Sequence, residues 1–526
     1  MRSELRDGLE FLYADSKVGQ RPCRRLRVDV ARGGTVSAHV LLNGLDVGGS
    51  VQAALRRKRR AVSGVKWFRL VDVPVEANTG PGGFIEKKGQ RNRFVARRAP
   101  FRVYDAMAPV QLPIKVCAAT MALRFHLPIA ANARTGERNY VLEIKSGSER
   151  EALLLNVNVH EPVIPPVGRD SFPYTNWFML EGMARRHGLK PWSEAHWRMI
   201  GRYAALMAHA RQNTFWCPLK DIFRLEGRKP VLDRQRLRRI VRVFTNAGMH
   251  YIEGGHVAGR TGGNWKSPTH DLTLTNELAT SRKGNATLAG IGRQLMDEIE
   301  RNGWRDRWIQ HVADEPIATD AADYRILVGM VRKYMPGIPI LDATMDPGLV
   351  GSVDIWCPQA QEYQKHRTRF EAQRALGDRV WFYTCCIPGG PWLNRLLDME
   401  LLRPALFGWG AALYDLDGFL HWGLNWYRPD QDPFEQSVVR IPGGTMLPAG
   451  DTHIVYPGKG RPWSSLRLEA QREGFEDLEL LRILRRRNAR RAGAIIRRAI
   501  TGFNAYTKDV RTFRAARRAL LEALSG

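Results

Sequence analysis

The string His311-Val-Ala-Asp-Glu-Pro316 sets two carboxylates, Asp314 and Glu315, side by side just after an apolar run that reads as a strand. Cleavage of a glycosidic bond needs an acid to protonate the departing oxygen and an electron donor on the far side of the acetal carbon. Neighbours on a regular strand point to opposite faces, so these two are awkward as a nucleophile and acid flanking one sugar. A different division suits them. Glu315 is the acid, and Asp314 accepts from the N–H of a 2-acetamido group whose own carbonyl attacks, while a phenol hydrogen-bonds that carbonyl oxygen. The same residues also suit a plain turn leading to a helix near Thr319, because Asp-Glu-Pro is ordinary turn chemistry.

Aromatic residues gather at the ends of other apolar runs: Trp216 in NTFWC, Trp356 in VDIWCP, Tyr383 in VWFYTC, and Trp422 and Trp426 in HWGLNWY. Sugar rings stack their C–H faces on such platforms, although each aromatic taken alone reads as core as readily as contact. His256 lies in GGHVAGRTGGNW, a loop long enough to cover a substrate or simply to lie on the surface. Asn425 and Asp342 have the chemistry to bind sugar hydroxyls or to tie loop backbone together. No GxSxG elbow supports a Ser-His-Asp triad.

These groups need strands to aim them. After the four prolines between Pro162 and Pro173, eight short apolar runs alternate with amphipathic segments; they start at Asn176, Asn213, Met249, Trp308, Ile338, Val353, Val380 and Gly418. The clearest helix is DRQRLRRIVRVFTNAG, with Asp233 as cap, Leu237, Ile240, Val241, Phe244 and Ala247 on one face and Gly248 at the end. Eight strand-helix units predict a (β/α)8 TIM-type barrel over 166–435 with its site at the C-terminal strand ends, an open doubly wound sheet being the rival. Residues 1–165 alternate β-favouring residues between Gly, Pro and Asn and predict an all-β sandwich. Residues 436–526 read as loops and short strands followed by basic helices.

A chain of 526 residues with 44% hydrophobic and 25% charged residues is neither disordered, collagen-like nor a disulfide miniprotein. Its formal net charge is +28, and the segment 481–526 alone carries 13 basic against 2 acidic residues, so a polyanion partner has to be weighed. The tail interleaves Arg with Leu, Ile and Ala at helical spacing, which reads first as a solvated amphipathic helix; nucleic-acid binding is not expected, and no nucleic-acid motif accompanies it. Six scattered cysteines lack CxxC or CxxH spacing, so free thiols and no metal site are expected. Neither a signal-type apolar run at the start nor a run of membrane-spanning length occurs, which predicts a cytoplasmic protein unless the start is trimmed. The oligomeric state is open.

The motifs HVADEP, VWFYTC, GFLHWGLNWY, DTHIVYPG and SSLRLEAQREGFEDLELL together resemble glycoside hydrolase family 123 from about residue 60 to 490. That resemblance implies a β-sandwich followed by a (β/α)8 barrel, β-N-acetylgalactosaminidase activity by substrate assistance and no cofactor. It places the acetamido-orienting group on Asp314, the acid/base on Glu315, the acetamido phenol on Tyr383, and the pocket floor on Trp422 and Trp426. The expected activity is therefore an exo-acting, retaining glycosidase on a β-linked 2-acetamido sugar. Two alternatives stay open. One is a two-carboxylate glycosidase using Asp342 or Asp417 on a sugar without the acetamido group, and the other is a non-catalytic binding protein for an anionic polymer.

Overall fold

The structure is a computed structural model in which residues 1–525 are described, and it divides into two compact units. The first holds residues 1–166, 386–414 and 425–526, and the second holds 167–385 and 415–424. Residues 436–526 thus belong to the same unit as the N-terminal strands.

In the first unit two mostly antiparallel sheets face each other. One has the order Arg2–Asp7, Thr35–Asn43, Thr120–Pro128, Lys66–Val75, Phe101–Val110. The other runs Arg25–Arg32, Glu149–Val163, Gly136–Ser146, Ser50–Arg57, Arg60–Ala61, with Ile114–Lys115 paired to Ser50–Arg57. Period-two patterning builds the core between them: Tyr140, Leu142 and Ile144 are buried while Glu143 and Lys145 are exposed, and Val51, Ala53 and Leu55 point inward from the next strand. The strand Arg2–Asp7 lies at the start of the region expected to form the sandwich.

The C-terminal helices close this unit, and three arginines of the last of them are spent on doing so. From the helix Val510–Leu524, Arg514 pairs with Asp7 at 2.6 Å, Arg517 with Asp477 at 2.8 Å and Arg518 with Asp29 at 2.7 Å. Helix Leu466–Arg487 crosses helix Leu402–Tyr414 at unusually short range, because a glycine from each meets the other's backbone. A Cβ on Gly474 would come within 2.0 Å of the Ala405 carbonyl oxygen, and one on Gly408 within 2.0 Å of that of Gly474. Gly474→Ala must therefore push the helices apart. It is expected to cost about 1–3 kcal/mol, read as a lower midpoint in urea with an unchanged m-value.

The second unit is built on short parallel strands: β1 (Tyr174–Asn176), β2 (Thr214–Cys217), β3 (Tyr251–Gly254), β4 (Trp308–Gln310), β5 (Leu341–Asp342), β6 (Ile355–Trp356), β7 (Arg379–Tyr383) and β8 (Gly418–His421). Seven of the eight expected runs carry a strand and the first, from Asn176, begins at the last residue of one, but the strands do not form the single continuous ladder that a barrel implies. The ladders make a five-stranded sheet, β1-β8-β7-β6-β5, and a three-stranded sheet, β2-β3-β4. At one break a lone parallel bridge joins Gln310 to Ile340, beside Pro339, which accepts from Gln310 N at 2.9 Å but has no N–H to return. At the other, Asn213 N donates to Tyr174 O at 3.3 Å. The helix Arg234–Asn246 starts at the expected cap, Asp233, which accepts from Arg236 N, and Ser193 and Ser281 cap two more helices by accepting from His196 N and Gly284 N.

The six cysteines are free. No helix among the described residues is long and apolar enough to cross a membrane.

Candidate active site

Asp314 and Glu315 stand beyond the end of β4 on a bend, not on the strand itself. The rule that adjacent strand residues face apart therefore does not govern them. Glu315 adopts φ +49°, a left-handed conformation that a β-carbon disfavours, and such strain persists only where neighbouring groups hold it. The holding group is Arg260, from the long loop after β3. Its guanidinium donates to the Glu315 carbonyl at 2.6 Å and to the Asp314 carbonyl at 3.2 Å, pairs with Asp320 at 3.1 Å and lies 3.8 Å above the Trp265 ring. Asp320 lies 3.5 Å from His270, which is in turn 2.9 Å from Asp323.

Tyr383 closes the other side. At the end of β7 its phenol donates a short hydrogen bond to the Glu315 carboxylate, and burial holds that phenol well above its ordinary pKa, so it remains a donor. Burial likewise raises Glu315, against the opposing effects of Tyr383 and Arg260. For Asp314 burial also raises the pKa, aided by the Glu315 charge and opposed by His311 and Arg260. The Asp314 side chain nevertheless keeps 54% of its surface open, so water tempers the shift, and the direction, towards the neutral acid, is what the geometry supports.

Beneath the pair runs a buried polar chain. The His311 ring sits between Glu253 from the end of β3, 2.7 Å from Nε2, and Asp342 from the end of β5, 2.9 Å from Nδ1, all three fully buried. Burial opposes charge on this ring, but the two carboxylates outweigh it and hold the pKa up at about 9, so His311 is an imidazolium at neutral pH. The carboxylates have further donors: Thr175 at 2.5 Å and the Trp177 indole at 2.8 Å on Glu253, and the Tyr324 phenol at 2.6 Å and Val312 N at 3.2 Å on Asp342. His256 packs edge-on against His311 with ring centres 4.8 Å apart. Burial, then the His311 charge, keeps it neutral, with Nε2 3.9 Å from Asp314 Oδ1.

One nitrogen or oxygen each of His256, His311 and Asp342 lie within 4.8 Å of one another, a spacing that suits a metal ion. Both nitrogens of His311 already face carboxylate oxygens, however, and a ligating imidazole needs a free lone pair. The donor set fits a bound proton better than an ion.

Of the other expected site residues, Trp216 joins this group. It stacks on Trp177 with centroids 4.6 Å apart and meets His256 at 5.2 Å, although only 6% of it is exposed. Trp422 follows β8 in the same unit and is half-buried. Trp356 is not a sugar platform. It is fully buried, its indole donates to Asp378 at 2.8 Å, and its ring packs on Phe370, because an aromatic at a strand end can turn towards the covering helices as well as the mouth. Asn425 and Trp426 fall in the first unit, where Asn425 is buried and bridges His453 and Trp426 N donates to Thr452 O at 3.0 Å. Asp342 is committed to His311 and Tyr324. Asp417 precedes β8, at the opposite strand end from the pair, and accepts from Val380 N at 2.8 Å. Neither is free to be a second catalytic carboxylate. Sequence patterning passed over Trp177, Glu253, Arg260 and His311; the one available signal was that Glu253 and His311 both sit at strand ends, where a site is expected.

A paired acid at the mouth of parallel strands, flanked by a phenol and tryptophans, is the equipment of a glycoside hydrolase. Residues 266–484, which include Asp314, Glu315 and Tyr383, match the profile of "Glycoside hydrolase 123, catalytic domain". Over these residues the chain is similar to the catalytic domain of glycoside hydrolase family 123. Among solved structures it is similar to a family 123 glycoside hydrolase from Clostridium perfringens, studied for glycolipid glycan hydrolysis. The TM-score is 0.74 and the identity 12%, over 100% of this chain and 96% of that one, a likeness of fold. Further matches are an endo-β-1,4-mannanase from Thermotoga petrophila (TM-score 0.37, 11% identity, 60% of this chain and 77% of that one) and a β-D-glucuronidase from Dictyoglomus thermophilum (0.33, 10%, 90% and 68%). No curated protein sequence matches the chain.

Proposed function

We propose that this chain is an exo-acting, retaining glycosidase that removes a β-linked 2-acetamido sugar of the N-acetylgalactosamine type by substrate assistance, on strands that act together as a (β/α)8 barrel. The observation that carries the reading is the adjacency of Asp314 and Glu315, together with the commitment of Asp342 and Asp417 elsewhere. A conventional retaining site needs two carboxyl groups about 5 Å apart on opposite sides of the sugar, and neither Asp342 nor Asp417 is free to be the second.

Glu315, held partly protonated by burial, gives its proton to the leaving oxygen. The substrate's acetamido oxygen attacks the anomeric carbon, and Asp314 accepts from the amide N–H, stabilising the positive charge that develops in the ring so formed. Glu315 then takes a proton from the water that opens the ring, with retention. When substrate arrives, Tyr383 can turn its phenol from Glu315 to the acetamido oxygen. The His311 imidazolium below favours the ionised form of Asp314, the form this step uses.

Hydrolysis of an aryl N-acetyl-β-galactosaminide, with no turnover of the matching aryl β-galactoside, and tight inhibition by the thiazoline that mimics the cyclic intermediate test the reading. Equal turnover of both glycosides, or indifference to the thiazoline, removes substrate assistance.

A pH profile follows. One of the pair must be ionised and the other protonated, so kcat/KM is bell-shaped, with both limbs displaced above the ordinary carboxylate range because burial raises both groups. Arg260 lowers both, so Arg260→Gln moves both limbs to higher pH and cuts kcat by about 10-fold through a loosened turn. In Arg260→Lys the charge returns the limbs towards wild type, but one ammonium cannot hold two carbonyls and kcat stays low. Limbs that do not move in Arg260→Gln would show that the guanidinium is too far, electrically, to matter.

A further inference from the structure

Several arginines of the first unit are paired with carboxylates, among them Arg24, Arg56, Arg102, Arg467 and Arg514. Four cations without such a partner share one cleft. Arg69 on strand Lys66–Val75, Lys115 on the short strand Ile114–Lys115, and Lys459 and Arg461 on the loop before Trp463 line a cavity of about 630 Å³. No carboxylate lines it, and among the described residues none of the four forms an ion pair. Like charges held around one concavity repel one another, and a cleft with low-dielectric walls concentrates their field on whatever enters.

The cleft is also built rather than improvised. Tyr456 and Trp463 exchange backbone hydrogen bonds of 3.0 and 2.8 Å, which pin the loop that presents Lys459 and Arg461. The Trp463 ring lies so close over Gly458 that a Cβ there would come within 2.0 Å of it, and its edge meets Phe434 at 5.7 Å. The ring is half-buried and lines the cleft, so it offers a fixed aromatic surface beside the cations.

We infer that this cleft binds an acidic glycan segment, with carboxylate or sulfate groups on Arg69, Lys115, Lys459 and Arg461 and a sugar face on Trp463. The preference for a glycan over other polyanions rests on the glycosidase reading and on shape. The concavity holds a few sugar units, whereas nucleic acid is tracked along an extended basic groove with several stacking rings, and here there is one. In the basic tail Arg514, Arg517 and Arg518 are already engaged, while Arg490, Arg491, Arg497 and Arg498 stand exposed on a helix that offers no aromatic beside them. A further basic surface is the exposed hairpin tip Arg57–Arg60, which is as basic but carries no aromatic.

The experiment titrates the intact protein with a fluorescent chondroitin sulfate hexasaccharide, with neutral chitohexaose and short duplex DNA as comparisons. Binding of the sulfated probe is expected, with affinity falling at least about 10-fold between about 50 and 200 mM salt. The double variant Lys459→Glu/Arg461→Glu is expected to lose at least about 10-fold, and Arg57→Glu/Arg59→Glu, with the same change of charge, less than about 2-fold. Chitohexaose should not bind. Both variants should melt like wild type, since these side chains are exposed, and should hydrolyse a small aryl glycoside at the wild-type rate. No binding, equal losses in the two variants, or DNA bound in this cleft at least as tightly as the glycan overturns the inference. The binding readout needs no turnover, so an enzyme that cleaves no aryl glycoside yet binds the probe here contradicts the glycosidase reading and leaves the cleft standing.

Discussion

Glu315→Gln lowers kcat/KM for a phenyl N-acetyl-β-galactosaminide by more than about 10²-fold, while a dinitrophenyl glycoside of the same sugar loses far less. The asymmetry is the diagnostic part. A phenolate that leaves poorly needs a proton in the transition state, and the amide of Gln has none to give; a dinitrophenolate leaves without help, and only the later activation of water suffers. Gln keeps the size of the side chain and an oxygen that can accept from the Tyr383 phenol, so the left-handed turn and the bond from β7 should survive. Equal losses for the two leaving groups would take the acid role from Glu315 and point to a disturbed turn instead. Wild-type rates on both would remove the pair from catalysis altogether.

What the sequence could reveal about this site was set by the range of the interactions involved. The pair itself was legible because its members are adjacent, and Tyr383 and Trp216 because they end apolar runs that are strands. Helix starts were legible for the same reason, since Ser193 and Asp233 cap bonds only three residues away. The support beneath the pair was not. His311 finds its partners 58 and 31 residues away in the chain, and only folding of the strands reveals that Glu253, His311 and Asp342 share a layer. Asp342, read as a candidate sugar ligand, is therefore a buried counter-ion, and Trp356, with the same strand-end signature as Trp216, faces Phe370 instead of the mouth. The tail shows the same limit in part: Arg490, Arg491, Arg497 and Arg498 keep to the exposed face of an amphipathic helix, as its spacing suggests, whereas Arg514 in the last helix pairs with Asp7 across 507 residues and braces the sandwich. Composition reveals the excess of charge but not its address; four of the cations without an ion pair line one cleft.

Asp314→Asn should separate the two carboxylates by what they do to the pH profile as well as to the rate. Loss of a preorganised charge that acts on a developing cation costs about 2.7–4 kcal/mol, so kcat falls about 10²- to 10³-fold, with a much smaller change in KM because the ground-state amide is neutral. Unlike Glu315→Gln, the loss should be nearly the same for good and poor leaving groups, since proton transfer is untouched. The acidic limb of the profile reports loss of the Asp314 carboxylate as the pH falls, and Asn cannot titrate; the residual activity should then run flat to low pH and retain only the basic limb of Glu315. His311→Gln gives the complementary result. The imidazolium is one of the groups that hold the Asp314 pKa down, so its removal moves the acidic limb to higher pH while Asp314 itself is still present. An acidic limb that survives in Asp314→Asn belongs to another group, and the role of the substrate's own amide as nucleophile would lose its partner in the protein.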